Sequence, residues 1–346
     1  MIAVVITLNE VSVNYFALYP GKASPVNGSG APVTIKAEHK GSGNVFLATV
    51  LLTNHVTLWD RLFAFRHPDT QLIKKTDLTG GATPVQFAQQ NAQEMTDSQL
   101  FAKVAALRRL GYTVPEHGDG ALILQVQPGS PADGPLKAGD VVKKIDGRSI
   151  SLASDATAAI RTHKPGDLVA LQIVRPGPSP QATDVSLRPI QCGSQLCPGD
   201  PRRALIGVGL ATDQDHFDLP TQVGLSIATD NIGGPSAGLA FALGAIDALT
   251  TSRLTGGHRV AVTGTIDADG NVGPVGGVEL KTVAVERAGC EYFLVPPDEF
   301  AAATAKARGH HLTVAKVSTL DDALRFLKTI GGDETGIPAK SSLPSA

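Results

Sequence analysis

The sequence predicts a multidomain protein of the α+β class. Its 346 residues exceed the roughly 100 to 150 residues of an ordinary domain, so two or three domains are expected. Its 37 glycines and 23 prolines favour short strands and many turns over long helical bundles. Strand-like and helix-like runs change character along the chain without a repeat of solenoid period. The sequence therefore indicates distinct parts in series.

The charge pattern argues against nucleic acid as a partner. Only 18% of the residues are charged, the formal net charge is −2, and the two signs are interspersed. A nucleic-acid-binding protein usually presents a basic face, and none is visible here. Peptides or small molecules are therefore the expected partners.

Residues 1–20 begin with an apolar run from Met1 to Leu8, which Asn9 and Glu10 interrupt. The run is shorter than the roughly 20 apolar residues of a membrane-spanning helix. It also lacks the positive segment and the small-residue cleavage site of a complete signal peptide. This stretch is therefore either the remnant of a membrane anchor or a first buried strand.

Residues 21–110 are predicted to form an N-terminal β-rich region that ends in a helix. Short apolar runs such as NVFLATVLLT are broken by Gly, Asn and Pro, which is typical of strands. The helix is predicted from Ser98 to Gly111, where the glycine stands in the usual stop position. Its apolar side chains share one face, at Leu100, Val104, Leu107 and Leu110. No catalytic pattern is visible in this region.

Residues 111–180 predict a β-sandwich or barrel with one short helix. The strand candidates are GYTV, ALILQV, DVVKKIDGRSI and LVALQIVRPG, and Asp146-Gly147 is a strong hairpin signal. The short helix is predicted in SDATAAIRTH. The segment PGPSPQATD, rich in Gly, Pro and Ser, indicates a domain boundary.

Residues 200–332 alternate strand-like and helix-like runs, which predicts a C-terminal α/β domain. The polar tail, 333–346, is predicted to be disordered. Before this domain, Cys192 and Cys197 make a poor zinc site, because zinc prefers four ligands at tighter spacings. The two cysteines either close a small disulfide loop or are unrelated thiols in a linker.

Ser236 is the first candidate for chemistry. It follows Pro235 and precedes a helix predicted to begin near Ala237. Its hydroxyl would lie at the positive end of that helix, beside free backbone N–H groups such as that of Ala237. Such groups stabilise the oxyanion of acyl transfer. The alternative is that Ser236 only caps the helix.

Lys281 is the second candidate. It falls in the first turn of a helix predicted from about Glu279 to Ala288. The helix macrodipole opposes a cation at this end and favours the neutral amine. A neutral lysine is the base that a serine nucleophile needs when no histidine serves. The alternative is an ordinary solvated lysine.

Together these segments resemble the proteolytic domain of the Lon family of Ser-Lys proteases. The resemblance is carried by GPSAG around Ser236, VTG at 262–264 and PVGGVELK ending at Lys281, in the family's order. It implies that Ser236 is the nucleophile, that Lys281 is the general base, and that Thr263 supports the lysine by hydrogen bonding.

The resemblance to the Lon domain extends over about 204–330. Two positions depart from the family pattern: Gly233 stands where Lon usually has Asp, and Thr265 stands where it usually has Glu. Neither departure removes the dyad.

Residues 111–177 resemble a PDZ domain of the bacterial protease type. LGYTV stands where the carboxylate-binding loop is expected, and PGSPADGPLKAGDVVKKIDG is the typical following segment. An open strand edge beside backbone N–H groups can add a peptide strand and hold its C-terminal carboxylate. The resemblance implies that the peptide-binding residues are Leu110, Gly111, Tyr112 and Thr113. Gly118 to Ala121 is a weaker alternative for the same loop.

The sequence contains no ATP-binding G-x-x-x-x-G-K-[ST] motif. A PDZ domain joined to a Lon-type domain without an ATPase resembles the membrane-anchored Lon-like proteases of bacteria, whose catalytic part faces outside the cytoplasm. The resemblance implies an ATP-independent endopeptidase without a cofactor, which cleaves flexible proteins and binds C-terminal tails. It also implies an incomplete membrane anchor at Met1, an extracytoplasmic location, a disulfide between Cys192 and Cys197, and a homo-oligomeric ring such as a hexamer.

Two other functions stay open. GPSAG also satisfies the G-x-S-x-G pattern of α/β-hydrolases, in which Asp298 and either His310 or His311 would complete a triad with Ser236. No HGGG-type oxyanion segment precedes Ser236, which disfavours this alternative. The other is a non-catalytic scaffold whose PDZ-like part binds peptide tails. No H-E-x-x-H or similar spacing occurs, so no metal site is expected.

Overall fold

The structure is a computed structural model that describes residues 11–27, 32–37, 39, 44–63, 69–177, 180–191, 204–230, 232–307 and 311–339. The chain divides into two compact units. Unit 1 consists of Met1–Thr113 and Pro220–Ala346, and unit 2 is Val114–Leu219. Unit 2 is therefore an insertion between the two halves of unit 1.

The secondary-structure elements are numbered in chain order. The strands are β1 (Tyr15–Pro25), β2 (Val33–Lys36), β3 (Val45–Thr53), β4 (Gln71–Lys74), β5 (Glu116–His117), β6 (Ala121–Val126), β7 (Val141–Ile145), β8 (Arg148–Ser149), β9 (Val169–Arg175), β10 (Gln181–Leu187), β11 (Ile190–Gln191), β12 (Ala204–Leu205), β13 (Val208–Thr212), β14 (His216–Phe217), β15 (Ser226–Thr229), β16 (Val260–Val262), β17 (Thr265–Ile266), β18 (Val272–Gly273), β19 (Tyr292–Val295) and β20 (Thr313–Lys316). The helices are α1 (Leu58–Phe63), α2 (Lys75–Thr79), α3 (Pro84–Arg109), α4 (Ala153–Arg161), α5 (Gly238–Leu249), α6 (Val278–Arg287), α7 (Phe300–Lys306) and α8 (Leu320–Thr329), with a 3-10 turn at Pro235–Ala237.

The centre of unit 1 is a six-stranded sheet in the order β20-β19-β16-β3-β1-β4. From β20 to β3 the strands are parallel, whereas β1 is antiparallel to both β3 and β4. Half of the sheet therefore comes from the N-terminal part of the chain. The sequence predicts a separate region at 21–110, but this segment is part of unit 1. Because β3 and β16 are distant in sequence, no local sequence pattern predicts that these two strands pair.

Helix α5 runs through the core of unit 1. All of its residues from Gly238 to Ala248 are buried, which explains its almost entirely apolar sequence. It packs against α3, β2 and β3. At Gly244 an added Cβ atom would lie 2.6 Å from Val26 Cγ1 and 2.8 Å from Ile35 Cδ1, so a larger residue would push the core apart.

Helix α3 is longer than the sequence predicted, because it begins at Pro84 instead of Ser98. Thr83 caps its start: the Thr83 hydroxyl accepts from the Gln86 N–H at 3.3 Å, and the Gln86 side chain accepts from the Thr83 N–H at 2.9 Å. The first half of the helix is rich in Gln and has few apolar positions. Its helical period is therefore hidden from a search for apolar periodicity.

Unit 2 is built on an antiparallel sheet in the order β10-β9-β7-β6-β13, with β8 paired to β7. Three predicted strand segments are confirmed as β6, the hairpin β7–β8, and β9. The predicted hairpin turn is also confirmed, since Asp146 and Gly147 have φ of 50° and 80°. Helix α4 lies where the short helix was expected.

Three predictions for unit 2 are wrong. The segment PGPSPQATD leads into β10, which pairs with β9, so it belongs to a hairpin and is not a domain boundary. GYTV is not a strand; the chain after it forms the short strand β5. The strands β13 and β14, which the sequence assigned to the C-terminal domain, pair with β6 and β5 inside unit 2.

The tail predicted to be disordered packs against unit 1 as far as Pro338. Ile337 contacts the hydrophobic core, and Arg109 Nη1 donates to Pro338 O at 2.7 Å. Residues 1–10 and 340–346 lie outside the described residues, as do Cys192 and Cys197, so the predicted disulfide stays a prediction. Within the described ranges, no helix combines the length and apolar character needed to span a membrane.

Candidate active site

Ser236 lies in a tight turn at the start of α5. Gly234 has φ of 84°, a conformation that favours glycine, and Pro235 then begins the 3-10 turn. The Gly238 N–H donates to Pro235 O, which carries the turn directly into the helix. Ser236 therefore stands at the N-terminal end of a helix, as the sequence predicts.

Helix α3 supports this turn from one side. Ser98 Oγ donates to Pro235 O at 3.1 Å, and the Gly234 N–H donates to the main-chain oxygen of Asn91 at 3.3 Å. Ser98 is buried, so its hydroxyl belongs to the core and not to the surface. Sequence reasoning missed both Ser98 and Asn91, because nothing in a polar helix sequence says which side chains meet the serine turn.

Thr263 connects the serine segment with the lysine. Its hydroxyl donates to Ser236 O at 3.3 Å and accepts from Lys281 Nζ at 3.1 Å. The N–H of Gly264 also donates to Ser236 O, at 3.0 Å. The fold thus brings together the segments of Ser236, Thr263 and Lys281, the three residues that the sequence selected.

Lys281 lies in the first turn and a half of α6, which begins after Gly277 in the left-handed conformation. Its side chain is only 1% exposed. Burial lowers the pKa of Lys281 to about 8, partly opposed by the negative charge of Glu299. The sequence argument relied on the helix macrodipole, whereas in the structure desolvation is the main cause. With this pKa, roughly one lysine in ten is uncharged at pH 7, against one in a few thousand at the ordinary pKa.

A cavity of about 450 Å³ opens beside Ser236. Ser236, Ala237 and the preceding glycines Gly233 and Gly234 form one side. The other side comes from β1 and β3, which the sequence did not connect with the site. The apolar lining residues include Pro20, Leu47, Val50, Leu51 and Ile232, and the charged ones are Lys22 and Asp230.

An irregularity in β1 shapes this cavity. The β1–β3 register shifts between Pro20 and Ala23. Thr49 Oγ1 accepts from the Lys22 N–H and donates to Lys22 O, both at 3.0 Å. A Cβ atom on Gly21 would lie 2.5 Å from Thr49 Oγ1, so a larger residue would displace this contact. The only sequence signal is the glycine within an apolar strand.

The alternative Ser-His-Asp triad finds less support in the geometry. Asp298 and His311 are exposed and do not line the cavity beside Ser236. His310 lies outside the described residues. Among the residues that the structure places, no group of three or more His, Cys, Asp or Glu side chains is arranged to hold a metal ion.

The predicted peptide-binding loop is part of a helix end in unit 1. Leu110 is the C-cap of α3, and Gly111 follows with φ of 87°. The Gly111 N–H donates to Arg108 O and the Tyr112 N–H donates to Leu107 O, and both hydrogen bonds are 3.0 Å long. This is a Schellman motif, which uses the backbone N–H groups that a carboxylate would need. Leu110, Gly111, Tyr112 and Thr113 therefore do not lie on the sheet of unit 2, and the expectation is wrong.

The weaker candidate, Gly118 to Ala121, is also occupied by main-chain contacts. The Asp119 N–H donates to Asp213 O at 2.8 Å, and the Gly120 N–H donates to Ser151 O at 2.9 Å. These two donors are therefore not available to a peptide carboxylate.

The strand β13 lies at one end of the unit 2 sheet and packs against helix α4. It follows Gly207, which has φ of 81°. Ala153 N–H, in the first turn of α4, donates to Thr212 Oγ1 at 3.2 Å, which fixes the helix beside the strand. An edge strand with a helix beside it is the arrangement that accepts a peptide strand. The sequence signal was IGVGL, which the prediction had placed in the wrong domain.

The fold is that of a serine peptidase domain that carries an inserted PDZ-type module. Two family models match the chain: a PDZ domain over residues 108–187, and a Lon protease (S16) C-terminal proteolytic domain over residues 222–328. The chain therefore contains a PDZ domain followed by a Lon-type proteolytic domain. The predicted fold class and the resemblance to a Lon proteolytic domain and a PDZ domain are confirmed. The resemblance to membrane-anchored proteases stays a prediction.

Curated relatives named Lon protease match the C-terminal part. The protein from Chloroflexus aggregans is 35% identical over 95 residues, which are 27% of this chain and 11% of that protein. The protein from Halothermothrix orenii is 30% identical over 126 residues, which are 36% of this chain and 16% of that protein. The matched parts are thus a small fraction of these relatives' length.

A solved structure is similar to part of the chain. The PDZ domain of the SdrC-like protein from Listeria monocytogenes is 24% identical, covers 27% of this chain and 87% of that chain, and has a TM-score of 0.22.

Proposed function

We propose that the protein is an ATP-independent endopeptidase that cleaves flexible protein segments with a Ser-Lys dyad. The observation that carries the proposal is the buried Lys281 amine, which donates a hydrogen bond to the Thr263 hydroxyl. The same hydroxyl donates to the main-chain oxygen of Ser236. The matched Lon-type proteolytic domain supports the same reaction.

In the proposed mechanism, neutral Lys281 takes the proton of the Ser236 hydroxyl while Ser236 Oγ attacks the peptide carbonyl carbon. The backbone N–H groups near Ser236 and Ala237 stabilise the oxyanion. The ammonium of Lys281 then gives its proton to the leaving amine. Water, activated by the same lysine, releases the acyl group from Ser236. The Thr263 hydroxyl orients the amine throughout.

The cavity beside Ser236 suggests how substrate binds. Its lining is largely apolar, and it has room for one or two side chains of an extended segment. An extended segment is available in an unstructured substrate without prior unfolding, and the sequence carries no ATP-binding motif. Flexible segments and termini are therefore the proposed substrates.

The PDZ domain is proposed to bind substrate or regulator tails at the edge of β13. A peptide strand would pair with β13, and its side chains would pack against α4. Thr157 lies one turn after Ala153, whose N–H donates to Thr212 Oγ1, and the Thr157 hydroxyl donates to Ala153 O. Thr157 is therefore expected to contact the bound tail.

The remaining features of the proposal rest on the resemblance to the bacterial Lon-like proteases. They are an extracytoplasmic, membrane-anchored location, a disulfide between Cys192 and Cys197, and assembly into a homo-oligomer such as a hexamer.

Digestion of casein without ATP tests the central proposal. Wild-type protein should cleave casein, and Ser236→Ala and Lys281→Ala should not. Ser318→Ala and Lys316→Ala, which change exposed residues of the same unit, are matched controls that should retain activity. Loss of activity in a His310→Ala/His311→Ala variant with retention in Lys281→Ala would instead establish the Ser-His-Asp alternative. If no condition gave cleavage that depends on Ser236, the non-catalytic scaffold would be the remaining function.

Binding of a fluorescent peptide with a free C-terminus tests the PDZ site. Thr157→Glu should weaken binding at least tenfold, because it introduces a bulky charge beside β13. Ala158→Glu, on the exposed side of the same helix, is the control and should bind like wild type. Equal binding by both variants would refute the assignment of the groove.

A further inference from the structure

Glu299 is a charged residue beside the lysine helix that the mechanism does not use. It lies between β19 and α7, and its Oε1 accepts from the Val275 N–H at 2.9 Å. Its other oxygen, Oε2, is buried and has no hydrogen-bond partner among the residues that the structure describes. Leaving a buried carboxylate oxygen without a partner is costly, so such a group in a native protein calls for a functional explanation.

The hydrogen bond to the Val275 N–H anchors the segment that leads into α6. Val275 precedes Gly276 and Gly277, the two glycines at which the chain turns into the lysine helix. Glycine pairs leave the backbone free, so an anchor before them determines where the helix begins. Helix α7, which follows Glu299, also packs against α6. Glu299 therefore ties the lysine helix to its neighbour.

The charge of Glu299 is also specific in its setting. Helix α6 packs against β1, β3 and α7, and β3 carries no charged side chain. The other titratable groups on these elements are Glu279, Glu286, Arg287, Tyr15, Tyr19, Lys22 and Lys306. Glu279 is bonded to Gln71, and Arg287 and Lys306 are both bonded to Asp69. Among the described residues, Glu299 is the one whose negative charge raises the pKa of Lys281, against the larger lowering by burial.

We propose that Glu299 is a positioning residue of the dyad, which anchors the turn before the lysine helix and holds a negative charge toward Lys281 when the amine becomes protonated. This inference rests on the proposed Ser-Lys mechanism. As the bond between Ser236 Oγ and the substrate carbon forms, the hydroxyl proton moves to Lys281 Nζ. The new ammonium lies in a site that excludes water, and a nearby carboxylate lowers the free energy of that charged state.

The pH dependence of kcat/KM in Glu299→Gln tests the charge. Glutamine keeps an oxygen for the Val275 N–H but removes the charge. The pKa of Lys281 should then fall further, so the acid limb of the profile should move to lower pH by about half a unit or more. The limiting kcat at high pH should fall several-fold, because the protonated intermediate is less stabilised. An acid limb that stays in place or moves to higher pH would overturn the proposal.

Two further variants separate charge from folding. Asp298→Asn removes a charge from the adjacent exposed residue and should leave the profile unchanged. Glu299→Asp keeps the charge but shortens the side chain, so it should keep the acid limb near its wild-type position while lowering kcat. If Glu299→Gln does not fold, the Glu299→Asp profile decides, because a shift to lower pH despite the retained charge would contradict the inference.

A measurement that needs no activity distinguishes this inference from the proposed function. Lysine can be incorporated biosynthetically with 13C and 15N labels, and the Lys281 side-chain signal, identified by its loss in Lys281→Ala, can be titrated by NMR. A lower titration midpoint in Glu299→Gln would support the action of Glu299 even if the protein cleaved nothing. An unchanged midpoint in an active enzyme would refute the role of Glu299 and leave the dyad intact.

Discussion

Replacing Lys281 by Met should stabilise the folded protein at pH 7 while it abolishes the proposed peptidase activity. Burial lowers the pKa of Lys281 from 10.5 to about 8. Each pKa unit corresponds to about 1.4 kcal/mol, so the buried lysine costs up to about 3 kcal/mol of folding free energy at pH 7. Loss of the hydrogen bond to Thr263 offsets about 1 kcal/mol of the gain. The net increase in unfolding free energy is expected to be about 2 kcal/mol.

The pH dependence identifies the cause of this gain. The unfolded chain keeps the lysine proton up to about pH 10.5, whereas the folded protein loses it near pH 8. Between these values the unfolded state binds more protons, so the wild type gains stability as the pH rises. Below about pH 8 the destabilisation is complete. Methionine does not titrate, so the advantage of Lys281→Met should shrink steadily from pH 8 to pH 10.

Urea unfolding of wild type, Lys281→Met and the exposed-site control Lys316→Met at pH 7 and pH 9.5 measures this difference. Wild type and Lys281→Met share all other titrating groups, so the contributions of those groups cancel. The reasoning is refuted if Lys281→Met is less stable than wild type at pH 7, or if its advantage is the same at both pH values.

Three further predictions concern catalysis by the proposed dyad. The value of kcat/KM on a short peptide should rise about tenfold per pH unit and level off near pH 8, because only neutral Lys281 acts as base. A flat profile from pH 6 to pH 9 would exclude Lys281 as the base. Thr263→Val should lower kcat by about 10- to 100-fold because it removes the hydroxyl that is hydrogen-bonded to Lys281, whereas Thr263→Ser should keep a kcat near that of wild type. Equal kcat values for the two variants would exclude a role of the Thr263 hydroxyl in the mechanism. Ser98→Ala should lower kcat several-fold and the free energy of unfolding by about 1–2 kcal/mol, because it leaves the Pro235 oxygen without its side-chain donor. A change in KM alone, measured by steady-state kinetics, would contradict a role of Ser98 in holding the serine turn.

The chemistry-bearing residues could be predicted because each lies in a short contiguous motif. GPSAG contains the serine, its turn and the start of its helix, and the glycines before α6 place Lys281 near the start of the next helix. Thr263 follows a buried strand that leads to the same place. The supports of the site could not be predicted in this way. Ser98, Asn91, and the cavity walls on β1 and β3 come from segments that meet the serine only through tertiary packing.

The peptide-binding loop shows how one pattern serves two structures. A glycine after an apolar helix residue is typical of a helix end, and a glycine before an apolar strand is typical of a carboxylate loop. LGYTV satisfies both, and the Schellman contacts of Gly111 and Tyr112 decide for the helix end. The better candidate, Gly207 before β13, became visible only once β13 was found paired with β6.

The interruption of unit 1 by unit 2 affects how the chain is made. During synthesis β1, β3, β4 and α3 leave the ribosome first, and the whole of unit 2 follows before β16 is available to cover the open side of β3. A nascent chain that ends near Thr113 would expose an unpaired apolar strand edge, which invites aggregation. We therefore expect translation arrested at this point to yield insoluble product, and the serine turn to be assembled only after the last strands have emerged.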